Sequence, residues 1–267
     1  MNIQFPMGKE FVKFNIVDRI AIVMIDRPPV NAMSDQVHYE LADVFDELKQ
    51  KISELDVVII TGGGEKVFIA GANLPDWLKL NDVEGGRWRD KRNIKGFNKV
   101  RNFERPVIAA INGHALGGGL ELAMCCDIRI ASENATVGLT ETNLGLVPAA
   151  GGTQTLPRLI PVGIAKEWMF TGARIPVKEV ERWGLVNKVV PQGEALNEAI
   201  VLAKKFQEKS SINLSYVKRA INEGLDMTLQ EGFDLEAEIL GLTCMTEDKN
   251  EGVAAFLEKR KPNFKGR

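Results

Sequence analysis

Short apolar runs that end in glycine constrain this chain more than any other feature. Val57 to Ile60 is stopped by Gly62-Gly63-Gly64, Val67 to Ala70 by Gly71, and Val107 to Ile111 runs into Asn112-Gly113. Runs this short, bounded by turn residues, suit strands covered on both faces. The period then changes. Ser34 is placed to cap a helix in which Val37, Leu41, Val44, Phe45, Leu48 and Ile52 recur at helical spacing. Two β-rich runs, Phe11 to Ile16 and Ile20 to Ile25, flank Asp18-Arg19 and predict a hairpin. Glu121 to Cys126 reads as helix and Ile128 to Ala131 as strand. Short strands with intervening helices define an α/β class.

The last third changes character. Pro176 to Trp183 reads as a short helix closed by Gly184, and Leu185 to Val190 as a strand. From Glu194 onward helix formers dominate, with Leu196, Ile200, Ala203 and Phe206 on one stripe and further helical patterns over 215–225 and 228–243. The expectation is a core over residues 1–195 and a helical region over 196–267, with no Ser/Pro-rich linker between them. A chain of 267 residues can bury such a core without disulfides or metals.

Composition removes several classes. Thirty-four Lys and Arg against 36 Asp and Glu leave a net charge of −2, without the broad positive field of a nucleic-acid binder. Cys125 and Cys126 are adjacent and Cys244 stands alone, so no disulfide framework is expected. Two histidines and no paired Cys motif leave a zinc site without ligands. No run approaches a membrane span, and MNIQFPMGKEF has no apolar signal region. A cytoplasmic protein that binds neither membrane nor nucleic acid is expected.

Motifs narrow the chemistry. No G-x-S-x-G, H-E-x-x-H or G-x-x-x-x-G-K-[ST] occurs. Gly62-Gly63-Gly64 follows a strand but has Val67 where a dinucleotide fingerprint needs its third glycine, and a strand-ending turn explains it as well. The informative segment is Ile108 to Arg158. There a buried strand leads into Gly117-Gly118-Gly119, and a helix follows at once. Free N–H groups at a helix start favour an oxygen gaining negative charge, and glycines let a ligand approach them. Glu121 lies in the first turn of that helix, as a catalytic group or simply as a partner for the helix dipole. Glu141 stands in an otherwise apolar stretch, where burial would raise its pKa toward the range of acid–base work. A plain turn carboxylate is the other reading. Twenty residues separate the two acids, and spacing alone does not bring them together.

The combination of AGAN (Ala70 to Asn73), NGHALGGGLELAMCCD (Asn112 to Asp127) and GLTETNLGLVPAAGGTQTLPR (Gly138 to Arg158) resembles the crotonase superfamily, the enoyl-CoA hydratase/isomerase family. DRPPVNAM and the C-terminal TEDKNEGVAAFLEKRKPNF are similar to the same family, so the resemblance spans nearly the whole chain. It implies a spiral of repeated ββα units and C-terminal helices that assemble a homotrimer or a dimer of trimers. It implies acyl-CoA thioester substrates, with an oxyanion hole formed by the backbone N–H groups of Ala72 and Gly118. Coenzyme A comes as part of the substrate, and no other cofactor is implied. Around the hole, Ala70, Gly71, Asn73, Leu74 and Gly117 match substrate-binding positions. Lys66, Phe256 and Lys259 match positions toward CoA or the acyl chain, though Lys66 would equally serve as a solubilising surface residue.

An acid at both 121 and 141 resembles the hydratases. The resemblance implies water addition across a trans-2-enoyl-CoA, with Glu121 acting on the water and Glu141 on the α-carbon. A Δ3,Δ2-enoyl-CoA isomerase using Glu141 alone, and a non-catalytic scaffold of the same fold, are the rival readings. The chain departs from the family pattern at Thr140, Asn73, Pro29, Pro75 and Ala149-Ala150. Trp77, Leu78, Leu80 and Trp88 are candidates for the acyl pocket. Gly86 to Lys95, with five basic residues, is expected as a solvated helix beside it, and the tail carries Lys259, Arg260, Lys261, Lys265 and Arg267 against Glu258. Both are candidate partners for CoA phosphates.

Overall fold

The computed structural model describes residues 4–267, and in it each glycine-ended run becomes one strand of a spiral. The first three residues of the core expected from residue 1, and of the N-terminal segment read above, lie outside the described residues. The spiral is preceded by β1 (Met7–Gly8), β2 (Val12–Val17) and β3 (Ile20–Ile25), an antiparallel meander. The expected hairpin turn at Asp18-Arg19 is made, both residues taking positive φ (50° and 63°). α1 (Asp35–Gln50) follows, capped by the Ser34 hydroxyl, which accepts from the Val37 N–H.

Three turns of ββα then repeat. β4 (Val57–Gly62) and β5 (Val67–Ile69) lead to α2 (Val83–Arg101), and β6 (Val107–Ile111) and β7 (His114–Leu116) lead to α3 (Gly118–Cys125). β8 (Ile128–Ser132) and β9 (Thr136–Gly138) lead to α4 (Gly152–Leu159) and α5 (Val162–Thr171). The chain continues through β10 (Ile175–Pro176), α6 (Val177–Glu181) and β11 (Lys188–Val190), and ends in α7 (Ala195–Gln207), α8 (Ser211–Gly224), α9 (Leu229–Cys244) and α10 (Glu247–Leu257).

Within each turn the first strand joins a seven-stranded sheet of order β1-β2-β3-β4-β6-β8-β11, parallel from β3 onward. The second strand joins a four-stranded sheet of order β10-β9-β7-β5, in which β5, β7 and β9 are parallel. This is the ββα spiral that the resemblance implied. Two asparagines hold the corner between sheets. Asn112 accepts from the Gly62 N–H (3.0 Å) and donates to the Gly64 carbonyl (2.8 Å), while Asn31 donates to the Gly63 and Val67 carbonyls.

The large sheet is apolar on both faces, which is why its strands read as continuous runs. Ala21, Val23, Val58, Ile60 and Ala109 face the main core. Ile20, Ile22, Val57, Ile59, Ile108 and Ala110 face the opposite way, onto Ala195, Ala199 and Ala203 of α7. That alanine stripe lets α7 lie on the large sheet, although all of it but Ala195 falls in the helical region expected over 196–267. α8 docks through charge: Lys218 donates to Asp127 at 2.8 Å and to the Arg105 carbonyl. Among the described residues no helix is long and apolar enough to cross a membrane.

Other expected elements shift for local reasons. Leu185 and Val186 are buried but stand outside β11. The Leu185 N–H bonds the Val180 carbonyl and its own carbonyl accepts from Arg129, so neither is free for a ladder. The helix expected from Glu121 starts earlier, at Gly118. Gly119 there packs so closely on β5 that an added Cβ would lie 2.3 Å from the Ile69 carbonyl oxygen. Gly119→Ala is therefore expected to cost about 1–3 kcal/mol by overpacking. A fall in the urea midpoint at unchanged m-value measures it, and a midpoint equal to the parent's would contradict it.

Candidate active site

β5, β7 and β9 lie side by side and point the same way, so the residues after them emerge at one edge of the small sheet. The turn after β5 carries Ala70 to Asn73, β7 ends at the start of α3, and β9 leads to a 3-10 turn over Glu141–Leu144. Ala70, Gly71, Ala72, Leu74, Gly117, Gly118, Glu121 and Glu141 all line one cavity of about 450 Å³ there. The two acids that spacing could not connect thus meet across neighbouring strand ends.

The two amides are set by different local structures. Ala72 pairs with Met33 as an isolated parallel bridge, in which Met33 donates to Gly71 and Asn73 donates to Met33. That pattern turns the Ala72 N–H away from Met33. The Gly118 N–H opens α3 and has no intrahelical acceptor. Each amide follows a glycine at positive φ, Gly71 at 105° and Gly117 at 51°, a conformation open to glycine at little cost. A Cβ on Gly117 would lie 3.6 Å from the Gly71 Cα and 2.6 Å from Glu141 Oε1. The glycines thus bring both amides and the second acid close together.

Glu121 is 4% exposed, and its Oε1 accepts from the Gly152 N–H, the first amide of α4, at 2.9 Å. Burial pushes its carboxyl up to about 8; repulsion from Glu141 adds to the rise and the Gly152 N–H opposes it. Burial also raises Glu141, whose Oε2 is enclosed without a hydrogen-bond partner among the described residues. Two like charges across one cavity disfavour joint ionisation. The pair is suited to hold one carboxylate and one carboxylic acid.

Other expected residues stand elsewhere. Asn73 does not line the cavity. Lys66 is exposed; its carbonyl accepts from the His114 N–H. Phe256 is 83% exposed on α10, and neither it nor Lys259 lines the cavity of its own chain. Trp77 lines it, whereas Leu78 and Trp88 are exposed and Leu80 lies outside.

Gly86 to Lys95 is helical and lies beside the cavity as expected, with Arg87, Trp88, Lys91 and Lys95 exposed, but Arg89 and Arg92 are not solvated. Arg89 is buried within α2 and pairs with Asp35 (3.0 Å) and Asp76 (3.6 Å), and Arg92 pairs with Asp35 (2.8 Å). The guanidinium groups also lie over Trp77 at 4.9 Å and Trp88 at 5.0 Å. The Arg92 hydrogen bond, with the Arg89 charge beside it, holds the Asp35 carboxyl below its usual range. These arginines clamp α2 onto α1 and are not free for phosphates. In the tail, Arg260 is taken by Glu251 and Glu258, and Arg267 by Glu247, for the same reason.

The sequence reading missed His38, Asp90, Asn93 and Phe97, which also line the cavity. A signal was present, since Gly86, Asp90, Asn93 and Phe97 fall on one face of a helix at helical spacing.

This geometry and the chain's similarity to known proteins agree. Residues 15–267 match the family described as Enoyl-CoA hydratase/isomerase, and the chain belongs to that family. It is 42% identical over 251 residues to the short-chain-enoyl-CoA hydratase of Clostridium acetobutylicum, covering 93% of this chain and 95% of that protein. It is 41% identical over 259 residues to the crotonyl-CoA hydratase of Syntrophomonas wolfei, covering 97% and 99%. A crystal structure of an enoyl-CoA hydratase from Bacillus anthracis superposes with a TM-score of 0.91 at 39% identity, covering 97% of this chain and 100% of that one.

The raised Glu121 carboxyl has a consequence for stability. The folded state holds its proton to about pH 8, whereas the ordinary value is 4.5. Ionising it therefore removes stability as pH rises between those values, and the loss is complete above the upper one. Glu121→Gln, which can still accept from Gly152, escapes this loss. Denaturant unfolding from about pH 5 to about pH 9 should favour the variant progressively, by up to a few kcal/mol at about 1.4 kcal/mol per pKa unit. Parallel stability curves for the two proteins would contradict the assignment.

Proposed function

We infer that the protein is an enoyl-CoA hydratase, which adds water across the trans-2 double bond of an enoyl-CoA thioester to give the 3-hydroxyacyl-CoA. The observation that carries the reading is the convergence of two buried acids and two glycine-led amides on one cavity. The thioester oxygen is placed between the Ala72 and Gly118 amides. Glu121 takes a proton from water, and the oxygen of that water bonds to the β-carbon. The displaced electron pair moves through the α-carbon to the thioester oxygen, where the two amides hold the enolate. One such donor is worth about 3–4 kcal/mol of barrier. Glu141 then delivers its proton to the α-carbon as the carbonyl re-forms, and proton exchange with solvent resets both acids.

The local environments support these roles. Burial holds Glu121 protonated up to about pH 8 against the opposing Gly152 N–H, so the ionised fraction that can act as the base, and with it the hydration rate, rises as pH approaches 8. Burial of an unpartnered Glu141 oxygen favours its protonated form, as a proton donor requires. Acid–base work by two carboxyl groups is chemically complete with the CoA that the substrate carries, without a metal or redox group. The unpaired state of Cys125, Cys126 and Cys244 supports a reducing compartment such as the cytoplasm. Net charge supports small-molecule partners over nucleic acid.

Assembly into trimers, alone or paired, is part of the same reading. Leu225, Leu229, Met245, Phe256 and Leu257 on the C-terminal helices are more than two-thirds exposed in one chain, which supports a face covered by further copies. Phe256 and Lys259 would then serve the cavity of a neighbouring copy. Sedimentation should return the mass of three or six chains, and a monomer would overturn this part.

Loss of the conjugated enoyl-thioester absorbance of crotonyl-CoA tests the reaction, because an isomerase with only Glu141 in play does not consume it. Glu121→Gln and Glu141→Gln should each lower kcat by about 10²–10⁴ with the fold retained. Near-parental hydration by either variant would sink the mechanism, and a parent inert toward every enoyl-CoA would restore the scaffold reading.

A further inference from the structure

The cavity wall opposite the strand ends carries polar groups that hydration does not use. α2 presents Asp90 and Asn93 to the cavity, and α1 adds His38. His38 is 6% exposed, and its Nδ1 is buried without a partner among the described residues. Asp90 Oδ1 is enclosed and unpartnered in the same way. Asn93 is 9% exposed; its Oδ1 accepts from Arg92 at 2.9 Å, and its Nδ2 has no acceptor among the described residues. The surrounding wall is apolar, with Met33, Leu74 and Phe97. A purely alkyl tail packed here would leave an acceptor, an amide donor and an imidazole nitrogen dry and unpaired, which opposes binding.

We propose that this wall selects an enoyl-CoA whose acyl chain carries a hydroxyl group, hydrogen-bonded by Asp90, Asn93 and His38. The inference rests on the reading of the cavity as the site of enoyl-CoA hydration. A hydroxyl matches the set because it donates to Asp90 and accepts from the Asn93 amide. A carboxylate-bearing tail would meet Asp90 together with Glu121 and Glu141. Burial, with Arg92 and Arg89 nearby, lowers His38 to about 3, so the imidazole is neutral at physiological pH and offers hydrogen bonding without charge. Burial also raises the Asp90 carboxyl, as expected of a group kept from water.

The test compares crotonyl-CoA and hex-2-enoyl-CoA with their ω-hydroxy counterparts, using the parent, Asp90→Leu and Asn93→Leu. Calorimetric binding of hexanoyl-CoA and 6-hydroxyhexanoyl-CoA, which cannot be hydrated, reads the pocket independently of turnover. The parent should favour the hydroxylated chain by about tenfold or more in kcat/KM and in affinity, and each leucine variant should erase or reverse that preference. Hydration of both chains with no preference in the parent overturns this inference and leaves the hydratase reading standing. Preferential binding without turnover of any enoyl-CoA supports the inference while the hydratase reading fails. Neither turnover nor preferential binding overturns both.

Discussion

The parallel pairing of β5, β7 and β9 is the constraint on which the site depends. Each strand is only three residues long and comes from a different turn of the spiral. None would persist alone; together they form a ledge braced by α3 on one side and by the asparagine corner on the other. Because the three run the same way, their ends deliver an amide, an amide with an acid, and a second acid to one place. Chemistry therefore follows from chain direction and register, and the long loops between turns are left free to shape what enters.

Electrostatics complete what topology begins. Carboxyl groups deep in protein normally resist ionisation. Here one faces the first amide of α4, while the other is enclosed without a partner, so equivalent side chains acquire different tendencies. On the far side, the buried arginines of α2 follow the opposite rule: each is matched by carboxylates or covers an aromatic face. Charge pairing there ties α2 to α1, and incomplete matching at the strand ends keeps the acids available.

Much of this was legible from residues alone. Apolar runs stopped by glycine marked the strands of the large sheet, and the Gly117-Gly118-Gly119 helix start marked the amide donors. β5, equally short, showed as the apolar run Val67 to Ala70, whereas β7 (His114–Leu116) and β9 (Thr136–Gly138) open on polar residues and lack such a run. The convergence of Glu121 and Glu141 was equally hidden, since it depends on strands that only the assembled sheet places side by side. The Arg89 and Arg92 region misled because a cation-rich stretch reads as solvated, whereas its main partner Asp35 lies more than fifty residues earlier in the chain. Leu185 misled by composition: it is buried as a strand residue would be, but a side chain from Arg129 occupies its carbonyl.

The backbone at Gly117 has a further consequence. The space a side chain would need there is already filled by a Glu141 oxygen, and the same residue's turn aims the Gly118 amide. A side chain there would displace the Glu141 carboxyl and strain the positive-φ turn that aims the Gly118 amide, so donor and acid are disturbed together. Gradual sequence change can remodel the helical wall, residue by residue, but at this glycine it meets an all-or-nothing step. The reaction is thereby insulated from the drift that substrate preference can undergo.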